Sequence, residues 1–406
     1  MTKLPEDFIR ETRRLMGEDR FNRYLEAFNE EAPTSIRLNP HLSQGGKSVN
    51  LTACLSPSEV PWCEEGYYLN GRPQFTFDPL FHAGCYYVQE ASSMFISHVL
   101  RHLVKEPVDM LDLCAAPGGK STAARSVLPE GSSLICNEPI PTRAQILLEN
   151  ITKWGWPETI VTNNYPRDFR KAKAHFDIIL CDVPCSGEGM FRKDPSTIGE
   201  WSLQNVEKCW RLQREIVADA WECLNPGGIL IYSTCTFNTK ENEENIRWIL
   251  DELDAEPMII PTQQEWHITS SLLEGFDAPV YRFIPGITQG EGLCVCALRK
   301  NGQTGGKPKN QGLVQMIRHM KVLTDDLPRG EFPQVELSYA EVLKYLRGEA
   351  LALPADTPRG IVTITYHGVP IGPVKNIGNR ANNLYPKAWR IKTTHLPTEP
   401  VEIIIK

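Results

Sequence analysis

The spacing of hydrophobic and polar positions changes along the chain and predicts three kinds of structure. In residues 5–28 apolar side chains recur at helical intervals, and the extended stretch SIRLNP follows at 35–40. From about residue 85 to residue 300, short apolar runs alternate with helical stretches. This alternation predicts a Rossmann-like, doubly wound α/β domain, in which helices cover both faces of a mostly parallel sheet.

The elements of this domain follow from the same pattern. The predicted strands are Met110–Cys114, Ser133–Asn137, Thr159–Thr162, Asp177–Cys181 and Ile229–Ser233. The predicted helices between or after them are Lys120–Val127, Thr142–Trp154, Asn205–Cys223 and Glu241–Glu252. Two further strand-like runs follow at Pro257–Pro261 and Leu293–Leu298.

A break in the pattern predicts a separate tail. NGQTGGKPKNQG, at 301–312, is rich in Gly, Lys and polar residues and has no apolar side chains to bury, so we interpret it as a linker. In the tail, GIVTITYHGVPIGPVK alternates like a β-hairpin with His367 and Gly368 at the turn. We therefore divide the chain into a mixed appendage at 1–84, the α/β domain at 85–300, and a small β-rich domain at 313–406 that folds separately.

Composition excludes several classes of protein. With 406 residues, 41% hydrophobic and 23% charged, the chain has the usage of an ordinary globular protein and not of a disordered, collagen-like or disulfide-stapled one. No apolar run approaches the roughly 18 residues that a membrane span needs, so we expect a cytoplasmic protein without a membrane partner. The 12 cysteines show no CxxC spacing, and we expect them to be reduced and to hold no metal.

The net charge of −7 conceals an asymmetry between the two parts of the chain. Residues 301–406 carry 14 Lys/Arg and 9 Asp/Glu, leaving 29 and 41 for residues 1–300. The most basic segment is Pro373–Lys392, which has no acidic residue and contains Lys375, Arg380, Lys387, Arg390 and Lys392. Charge alone is consistent either with a surface that binds a polyanion or with an ordinary solvated face.

A strand, a turn of small residues and a helix are encoded by VDMLDLCAAPGGKST at 108–122. Gly118 and Gly119 permit close approach of a ligand to the backbone, and the helix start presents free N–H groups. Neither GxGxxG nor the P-loop pattern is present. Glu138 ends the second strand, where a carboxylate accepts hydrogen bonds from ribose hydroxyls, and this is the preferred interpretation over a cap for the next helix. These features favour S-adenosylmethionine over NAD.

Three chemically competent side chains follow the fourth and fifth strands. Asp182 and Cys185 come after FDIILC, and Cys235 after GGILIYST, at the strand ends where open α/β sheets bind ligands. A thiolate that adds to carbon 6 of a pyrimidine makes carbon 5 nucleophilic toward a methyl donor. Asp182 is placed to stabilise the ring during this addition, and Lys120 to lower a thiol pKa or contact the base. The residues alone leave open which cysteine attacks.

Several ordered motifs resemble one known family. DLCAAPGGK at 112–120, DVPCSGEGMFRKDP at 182–195 and STCT at 233–236 are similar to motifs of the Sun-type (NSUN) RNA cytosine-C5 methyltransferases. SIRLN at 35–39, QEASSM at 89–94 and ENEENI at 241–246 also resemble signatures of that family. The resemblance implies that Cys235 is the nucleophile, that Cys185 assists product release, and that the appendage binds RNA.

The same resemblance implies a set of residues for S-adenosylmethionine. They are Cys114, Ala115, Ala116, Pro117, Gly118, Gly119, Lys120, Glu138, Arg143 and Asp182. The family usually has an Asp near the adenine after the third strand, whereas this chain reads VTNNYPRDF there. We therefore predict that Asn163 contacts the adenine, with Asn164 and Asp168 as alternatives.

The tail resembles the PUA-like RNA-binding extension of bacterial RsmF-like enzymes that modify 16S ribosomal RNA, on a G-x-x-K-x-x-G-x-R-x-x-N-x-YP pattern. We therefore predict that the five basic residues of Pro373–Lys392 bind RNA, and that the partner is ribosomal RNA, free or within the small subunit. The alternatives are the same chemistry on tRNA and a non-catalytic RNA-binding factor for ribosome assembly. Intact Cys185, Cys235, Asp182 and Lys120 argue against the second alternative.

Overall fold

The computed structural model describes residues 3–43, 50–51, 57–302, 318–393, 395–401 and 403–405. The helices are α1 Glu6–Met16, α2 Glu18–Glu26, α3 Pro40–Ser43, α4 Pro79–His82, α5 Phe95–Leu103, α6 Gly119–Val127, α7 Pro141–Trp154, α8 Pro166–Lys171, α9 Leu203–Glu222, α10 Glu243–Glu252 and α11 Tyr339–Leu346. Most of the predicted linker at 301–312 lies outside the described residues. None of the described helices is both long and apolar enough to cross a membrane.

Nineteen strands are present in the described ranges. They are β1 Thr34–Leu38, β2 Asn50–Leu51, β3 Ser58–Val60, β4 Cys63–Leu69, β5 Tyr86–Val88, β6 Asp109–Asp112, β7 Ser133–Asn137, β8 Thr159–Thr162, β9 Phe176–Asp182, β10 Leu224–Thr234, β11 Ala255–Met258, β12 Tyr281–Phe283, β13 Leu293–Lys300, β14 Val322–Leu323, β15 Gln334–Glu336, β16 Gly360–Tyr366, β17 Val369–Asn376, β18 Ala381–Asn383 and β19 Ile404–Ile405.

The central sheet has nine strands in the order β11-β13-β10-β9-β6-β7-β8-β14, with β12 paired to β13. The five strands from β6 to β10 are mutually parallel, and β13 and β14 add antiparallel strands on either side. These five are the five predicted strands, and their apolar runs are buried because helices cover both faces of the sheet. The predicted Rossmann-like α/β class is therefore confirmed.

Two hydrophobic clusters lie on opposite faces of this sheet. One contains side chains of α5, α6 and α7, and the other contains side chains of α8, α9 and α10. Every parallel connection passes over one face or the other, so the carboxyl ends of β6, β7, β9 and β10 meet at one edge. This edge carries the loops that hold the candidate chemistry.

The N-terminal residues form a four-stranded sheet, β3-β4-β1-β5, that is attached to the α/β domain by a buried arginine. Arg37 in β1 is fully buried, and its guanidinium donates to Gln89 Oε1 at 2.9 Å and Thr122 Oγ1 at 2.6 Å. It also stacks over the Trp154 ring, 4.5 Å from the ring centroid. Because Thr122 belongs to α6 and Trp154 to α7, Arg37 fixes the N-terminal unit against one face of the α/β domain.

The C-terminal residues form a small sheet in the order β15-β16-β17-β18, packed with α11. The hairpin turn is at His367 and Gly368 as predicted, with φ of 50° and 70°. The sequence predicts that residues 313–406 fold separately, whereas they share one hydrophobic cluster with the N-terminal unit. In addition, β14 extends the central sheet beside β8. The apolar face of the C-terminal sheet is therefore packed against the N-terminal unit, and separate folding of residues 313–406 stays a prediction.

Candidate active site

The ends of β9 and β10 bring Asp182 next to Ser233 and Lys120. The two strands are parallel neighbours, with Asp182 opposite Ser233 in register. Ser233 Oγ donates to Asp182 Oδ1 at 2.7 Å, and Lys120 Nζ donates to Asp182 Oδ2 at 2.8 Å. Both carboxylate oxygens are thus held by protein donors, so the orientation of Asp182 is set before any ligand binds.

Lys120 keeps its positive charge in this half-buried position. Burial disfavours the ammonium form, but the Asp182 carboxylate and its smaller partners together more than offset this and leave the pKa of Lys120 above its usual value. Cys235 and Asp112 act in the same direction. The ammonium therefore lies within electrostatic reach of both Asp112, before the turn at 113–118, and the thiol at the end of β10.

Cys185 and Cys235 meet across the two loops that follow β9 and β10. Their sulfur atoms are 3.2 Å apart. The hydrogen bond with Cys235, followed by burial, raises the pKa of Cys185 well above that of an ordinary thiol. Cys185 therefore favours its protonated form, and either sulfur can donate in the hydrogen bond that joins the pair.

A cavity of ≈ 300 Å³ contains both sulfurs and Asp182. One part of its wall comes from the cofactor turn, and the other from residues after β9 and from the start of α9. The lining residues are Cys114, Ala116, Arg143, Asp182, Val183, Pro184, Cys185, Ser186, Gly187, Met190, Thr197, Glu200, Asn205 and Cys235. Of these, the pattern of the sequence did not point to Met190, Thr197, Glu200 or Asn205, which lie in two short 3-10 helices after β9 and at the start of α9.

The turn before α6 forms the cradle predicted from its small residues. Gly118 has φ of +115°, and a Cβ there would be 3.2 Å from Leu147. Ser121 Oγ donates to Asp112 Oδ2 at 2.6 Å, while Asp112 Oδ1 is buried without a protein partner. Burial raises the pKa of Asp112 to about 7. The turn therefore offers an unpaired polar acceptor and free N–H groups to a ligand.

The remaining residues of the turn act mainly through their backbone. Ala115 N–H donates to Asn137 O at 2.8 Å, Ala116 O accepts from Arg143 at 3.0 Å, and Pro117 O accepts from Asn150 at 2.8 Å. The three carbonyl and amide contacts tie the turn to β7 and α7. Cys114 lies on the cavity wall, and burial raises the pKa of its thiol well above the usual value.

Glu138 is buried at the end of β7 beside the turn. Its Oε1 accepts from Ile140 N–H at 2.9 Å, while Oε2 is 3.5 Å from Arg143 and has no closer described donor. The capping alternative is therefore observed, and the contact with ribose hydroxyls stays a prediction. One oxygen caps the turn into α7, and the other retains acceptor capacity for a hydroxyl group.

Asn163, predicted to contact the adenine, is already engaged within the protein. Its amide group donates to Glu138 O and Pro139 O at 2.8 and 3.0 Å, and its oxygen accepts from Lys321 Nζ at 2.6 Å. The two alternatives are engaged as well, since Asn164 bonds to the Lys321 backbone and Asp168 caps α8. Asn163 therefore supports the backbone of Glu138 and Pro139 in this structure.

Two buried glutamates were not recognised from the sequence as parts of the site. Glu241 accepts from Ser186 N–H at 3.0 Å, and Glu188 accepts from Phe237 N–H at 2.7 Å. Burial, and to a lesser degree the Glu188 carboxylate, raises the pKa of Glu241 to about 7. Acidic residues in polar loops are typical of solvent-exposed positions, so no local signal marks these two as buried.

The five basic residues predicted to bind RNA lie in the C-terminal sheet and in the segment after it, and none of them lines the cavity. Lys375, Arg380, Lys387 and Lys392 are exposed. Arg390 is half-buried, and its guanidinium donates twice to Tyr385 O, at 3.2 and 3.1 Å. Arg390 therefore braces the fold, while the other four present free charge. Within the described ranges, no three His, Cys, Asp or Glu side chains cluster as metal ligands would.

Comparison with protein families matches most of the chain. The N-terminal domain of 16S rRNA methyltransferase RsmF matches residues 4–91, 16S rRNA methyltransferase RsmB/F matches residues 100–299, and the methyltransferase RsmF PUA domain matches residues 332–391. The three matches follow one another in the order expected of a single family.

Curated relatives agree with these matches. Ribosomal RNA small subunit methyltransferase F of Pectobacterium atrosepticum is 35% identical over 262 residues, covering 62% of this chain and 52% of the relative. The enzyme of the same name from Escherichia coli is 33% identical over 309 residues, covering 73% of this chain and 63% of the relative. The chain thus spans between about half and two thirds of the length of these relatives.

Solved structures share the fold. A methyltransferase homolog from Pyrococcus horikoshii is 26% identical with a TM-score of 0.56, covering 73% of this chain and all of the other. NSun6 from Pyrococcus horikoshii with SFG is 19% identical with a TM-score of 0.59, covering 74% of this chain and 99% of the other. With three consecutive domain matches and these relatives, the chain belongs to the RsmB/F-type family of 16S rRNA methyltransferases.

Proposed function

We propose that this protein methylates carbon 5 of a cytosine in 16S ribosomal RNA, using S-adenosylmethionine and a covalent bond between Cys235 and carbon 6 of the base. The observation that carries the proposal is the 3.2 Å separation of the Cys185 and Cys235 sulfurs at the ends of adjacent parallel strands. A second thiol at hydrogen-bond distance from the nucleophile serves a reaction in which a carbon–sulfur bond is made and then broken.

The residues of the turn suit S-adenosylmethionine. Gly118 and Gly119 leave room at the backbone, Asp112 Oδ1 lacks a protein partner, and Glu138 Oε2 is available to ribose hydroxyls. When bound, the cofactor would supply an electrophilic methyl group to carbon 5 of the base and would leave as the neutral thioether, which keeps the electrons of the broken carbon–sulfur bond. We assign its binding to Cys114 to Lys120, with Glu138, Arg143 and Asp182 around it.

In the first half of the reaction, the Cys235 thiolate forms a bond to carbon 6, and the electrons of the C5=C6 bond become available at carbon 5. Lys120 stabilises negative charge on the Cys235 sulfur before the attack. Asp182 is held by Lys120 and Ser233, and in this position it orients the ring of the base.

In the second half, the proton on carbon 5 leaves to a water molecule, and its electron pair re-forms the C5=C6 bond. The bond between carbon 6 and the Cys235 sulfur breaks, and its electrons return to the sulfur. Cys185 then donates its proton in a hydrogen bond to the departing thiolate. This role needs a protonated Cys185, which agrees with its raised pKa.

The choice of 16S ribosomal RNA rests on the relatives named for the ribosomal small subunit and on the match of residues 332–391 to the RsmF PUA domain. We assign RNA binding to the exposed basic residues of the C-terminal sheet and to the N-terminal unit that packs with it. Two functions compete with this proposal: the same reaction on transfer RNA, and a role in ribosome assembly without catalysis.

The substrate is tested with methyl-labelled S-adenosylmethionine and four nucleic acids: small ribosomal subunits, naked 16S RNA, tRNA and duplex DNA. We expect label in 5-methylcytidine from 16S RNA, either naked or assembled. Label in tRNA alone would show that tRNA, and not 16S RNA, is the substrate. The proposed reaction at carbon 5 would then still hold. Cofactor binding without transfer to any of the four would favour the assembly factor.

Removal of the Glu138 carboxylate is expected to weaken cofactor binding. A hydrogen bond to a charged group contributes about 1.5–3 kcal/mol, so Glu138→Gln should raise the Kd for S-adenosylmethionine by about 10- to 100-fold. Titration calorimetry measures this change. Glu130→Gln, at an exposed position, is the matched control and should bind normally. An unaltered Kd in Glu138→Gln would show that Glu138 caps α7 and does not bind the cofactor.

Neutralising the exposed basic residues of Pro373–Lys392 is expected to weaken RNA binding. Lys375, Arg380, Lys387 and Lys392 are changed to glutamine together, while Arg390 is kept because it braces Tyr385. Each lost phosphate contact reduces the log–log salt slope by about 0.7–0.9, so four lost contacts should reduce it by about 3.

Fluorescence anisotropy with a labelled 16S fragment at several salt concentrations measures both affinity and slope. The control changes four exposed basic residues elsewhere, Lys105, Lys171, Lys173 and Arg299, to glutamine and thereby alters net charge equally. If the two quadruple variants behave alike, the C-terminal segment is a solvated face.

A further inference from the structure

Two buried glutamates connect the loops that carry the two cysteines. We call residues 183–191 the release loop, because it contains Cys185, and residues 235–242 the nucleophile loop, because it begins with Cys235. Each loop contributes one glutamate that accepts hydrogen bonds from backbone N–H groups of the other loop. Glu188 and Glu241 are 2% and 0% exposed, so water does not compete for these bonds.

Glu241, from the nucleophile loop, fixes the backbone around Cys185. Its Oε2 accepts from Ser186 N–H at 3.0 Å and from Gln213 Nε2 at 2.7 Å. The same Gln213 amide donates to Pro184 O at 2.9 Å. The residues on both sides of Cys185 are therefore held: Ser186 directly by Glu241, and Pro184 by Gln213, which itself donates to Glu241.

Cys235 is held by other means. It directly follows β10, whose Thr234 is paired with Cys294 in β13. Its carbonyl accepts from Gly189 N–H at 2.8 Å, and a Cβ on Gly189 would be 2.9 Å from this oxygen. Glu188 accepts from Phe237 and Asn238 N–H at 2.7 and 2.9 Å. The nucleophile is thus fixed by the sheet and by Glu188, and the Glu241 side chain contacts the nucleophile loop at Asn238, whose Nδ2 donates to Glu241 Oε1 at 2.8 Å and to Thr236 Oγ1 at 3.1 Å.

We propose that Glu241 is a positioning residue for the release half of the reaction, since its contacts place the Cys185 thiol at hydrogen-bond distance from the Cys235 sulfur. This inference rests on the proposed function. Glu241 touches no reacting atom and instead acts through Ser186 and Gln213. When the hydrogen bonds from Glu241 to Ser186 and Gln213 are weakened, the Cys185 thiol is no longer held at hydrogen-bond distance from the departing Cys235 thiolate. Cys235 still attacks the base.

The conservative variant Glu241→Gln separates positioning from folding. A glutamine oxygen retains the bonds from Ser186 and Gln213, but its amide group opposes the Asn238 amide, which donates to Glu241 Oε1 at 2.8 Å in the native protein. The network is thereby loosened without removal of a side chain. Glu241→Ala removes all three bonds and leaves their donors buried, so a stronger effect and some loss of stability are expected.

The experiment measures addition and release separately, using methyl-labelled S-adenosylmethionine and the RNA substrate. A misplacement of about 1 Å costs roughly a hundredfold in a catalysed step. For Glu241→Ala we expect the steady-state rate to fall by about 10- to 100-fold, and the labelled protein–RNA adduct that survives denaturing gel electrophoresis to increase about tenfold. Glu241→Gln should give the same pattern at smaller size. Methyl transfer in a single turnover should stay within about threefold of the wild-type protein in both variants, because the nucleophile remains in place.

The matched control is Glu252→Gln, an exposed glutamate of α10, which should release product normally. If Glu241→Ala does not fold, the comparison of addition and release is made with Glu241→Gln. The melting temperature and the cofactor affinity of Glu241→Gln show whether that variant is folded. The inference would be overturned if Glu241→Gln lost addition and release to the same extent. It would also be overturned if the ratio of adduct to free RNA stayed at the wild-type value. Absence of an adduct in Cys185→Ala would instead overturn the release role of Cys185 in the proposed function, on which the inference rests.

Discussion

Replacement of Cys235 by alanine is expected to abolish methyl transfer to RNA. Cys235 is the thiol at the end of β10, with Cys185 as a hydrogen-bond partner and Lys120 within electrostatic reach. Without a thiolate there is no bond to carbon 6, and carbon 5 of cytosine is too weak a nucleophile to accept the methyl group. Because removal of a covalent nucleophile costs about 10⁶-fold in other enzymes, we expect a loss of at least about 10⁴-fold. Transfer of labelled methyl groups to RNA measures it.

The matched control is Cys209→Ala, which changes a half-buried thiol of α9 that does not line the cavity. It should transfer methyl groups at the wild-type rate, and both variants should bind S-adenosylmethionine normally. Residual transfer by Cys235→Ala within tenfold of wild type would exclude Cys235 as the nucleophile. A stable RNA adduct in Cys235→Ala would assign the attack to Cys185.

Replacement of Cys185 by alanine is expected to trap the protein on its RNA. Cys235 still adds to the base and the methyl group is still accepted, but the departing thiolate lacks its hydrogen-bond donor. We expect about one methyl group per protein, transferred at a rate near that of wild type, followed by turnover reduced by about 10²–10⁴-fold. Denaturing gel electrophoresis of the labelled complex measures the adduct, which should migrate above the free protein.

Cys185→Ser tests whether a weaker acid at this position suffices. A hydroxyl is a poorer proton donor than a thiol, so the serine variant should accumulate less adduct than alanine but more than wild type. Free turnover by Cys185→Ala, without an adduct, would show that the second thiol takes no part in release.

The parallel core was predictable because its strands carry continuous apolar runs that only burial on both faces explains. β9 is such a run, and its end fixes where Asp182 lies. Strand β14 was not predictable, since Val322–Leu323 is too short to show a period and pairs with β8 across about 160 residues of sequence. The shared N- and C-terminal core was missed for a similar reason, because each half appears sufficiently apolar by itself.

The candidate site likewise contains some residues that the sequence predicts and others that it does not. Asp182, Cys185 and Cys235 follow predicted strands, so the rule for strand ends brings them together. Glu188 and Glu241 satisfy backbone donors on the opposite loop, about 50 residues away in sequence, and no local pattern records such a partner. Arg37 was read as part of an extended segment, yet its guanidinium is buried because Gln89 and Thr122 supply acceptors from distant elements.

The most direct test of the central claim is to identify the residue that bonds to the base. RNA carrying 5-fluorocytidine traps the wild-type protein, because fluorine on carbon 5 cannot leave as a proton and the carbon–sulfur bond is not broken. After protease and nuclease digestion, mass spectrometry locates the modified peptide. We predict a methylated fluoropyrimidine on Cys235. The same adduct on Cys185, or no adduct with RNA that is otherwise methylated, would contradict the assignment.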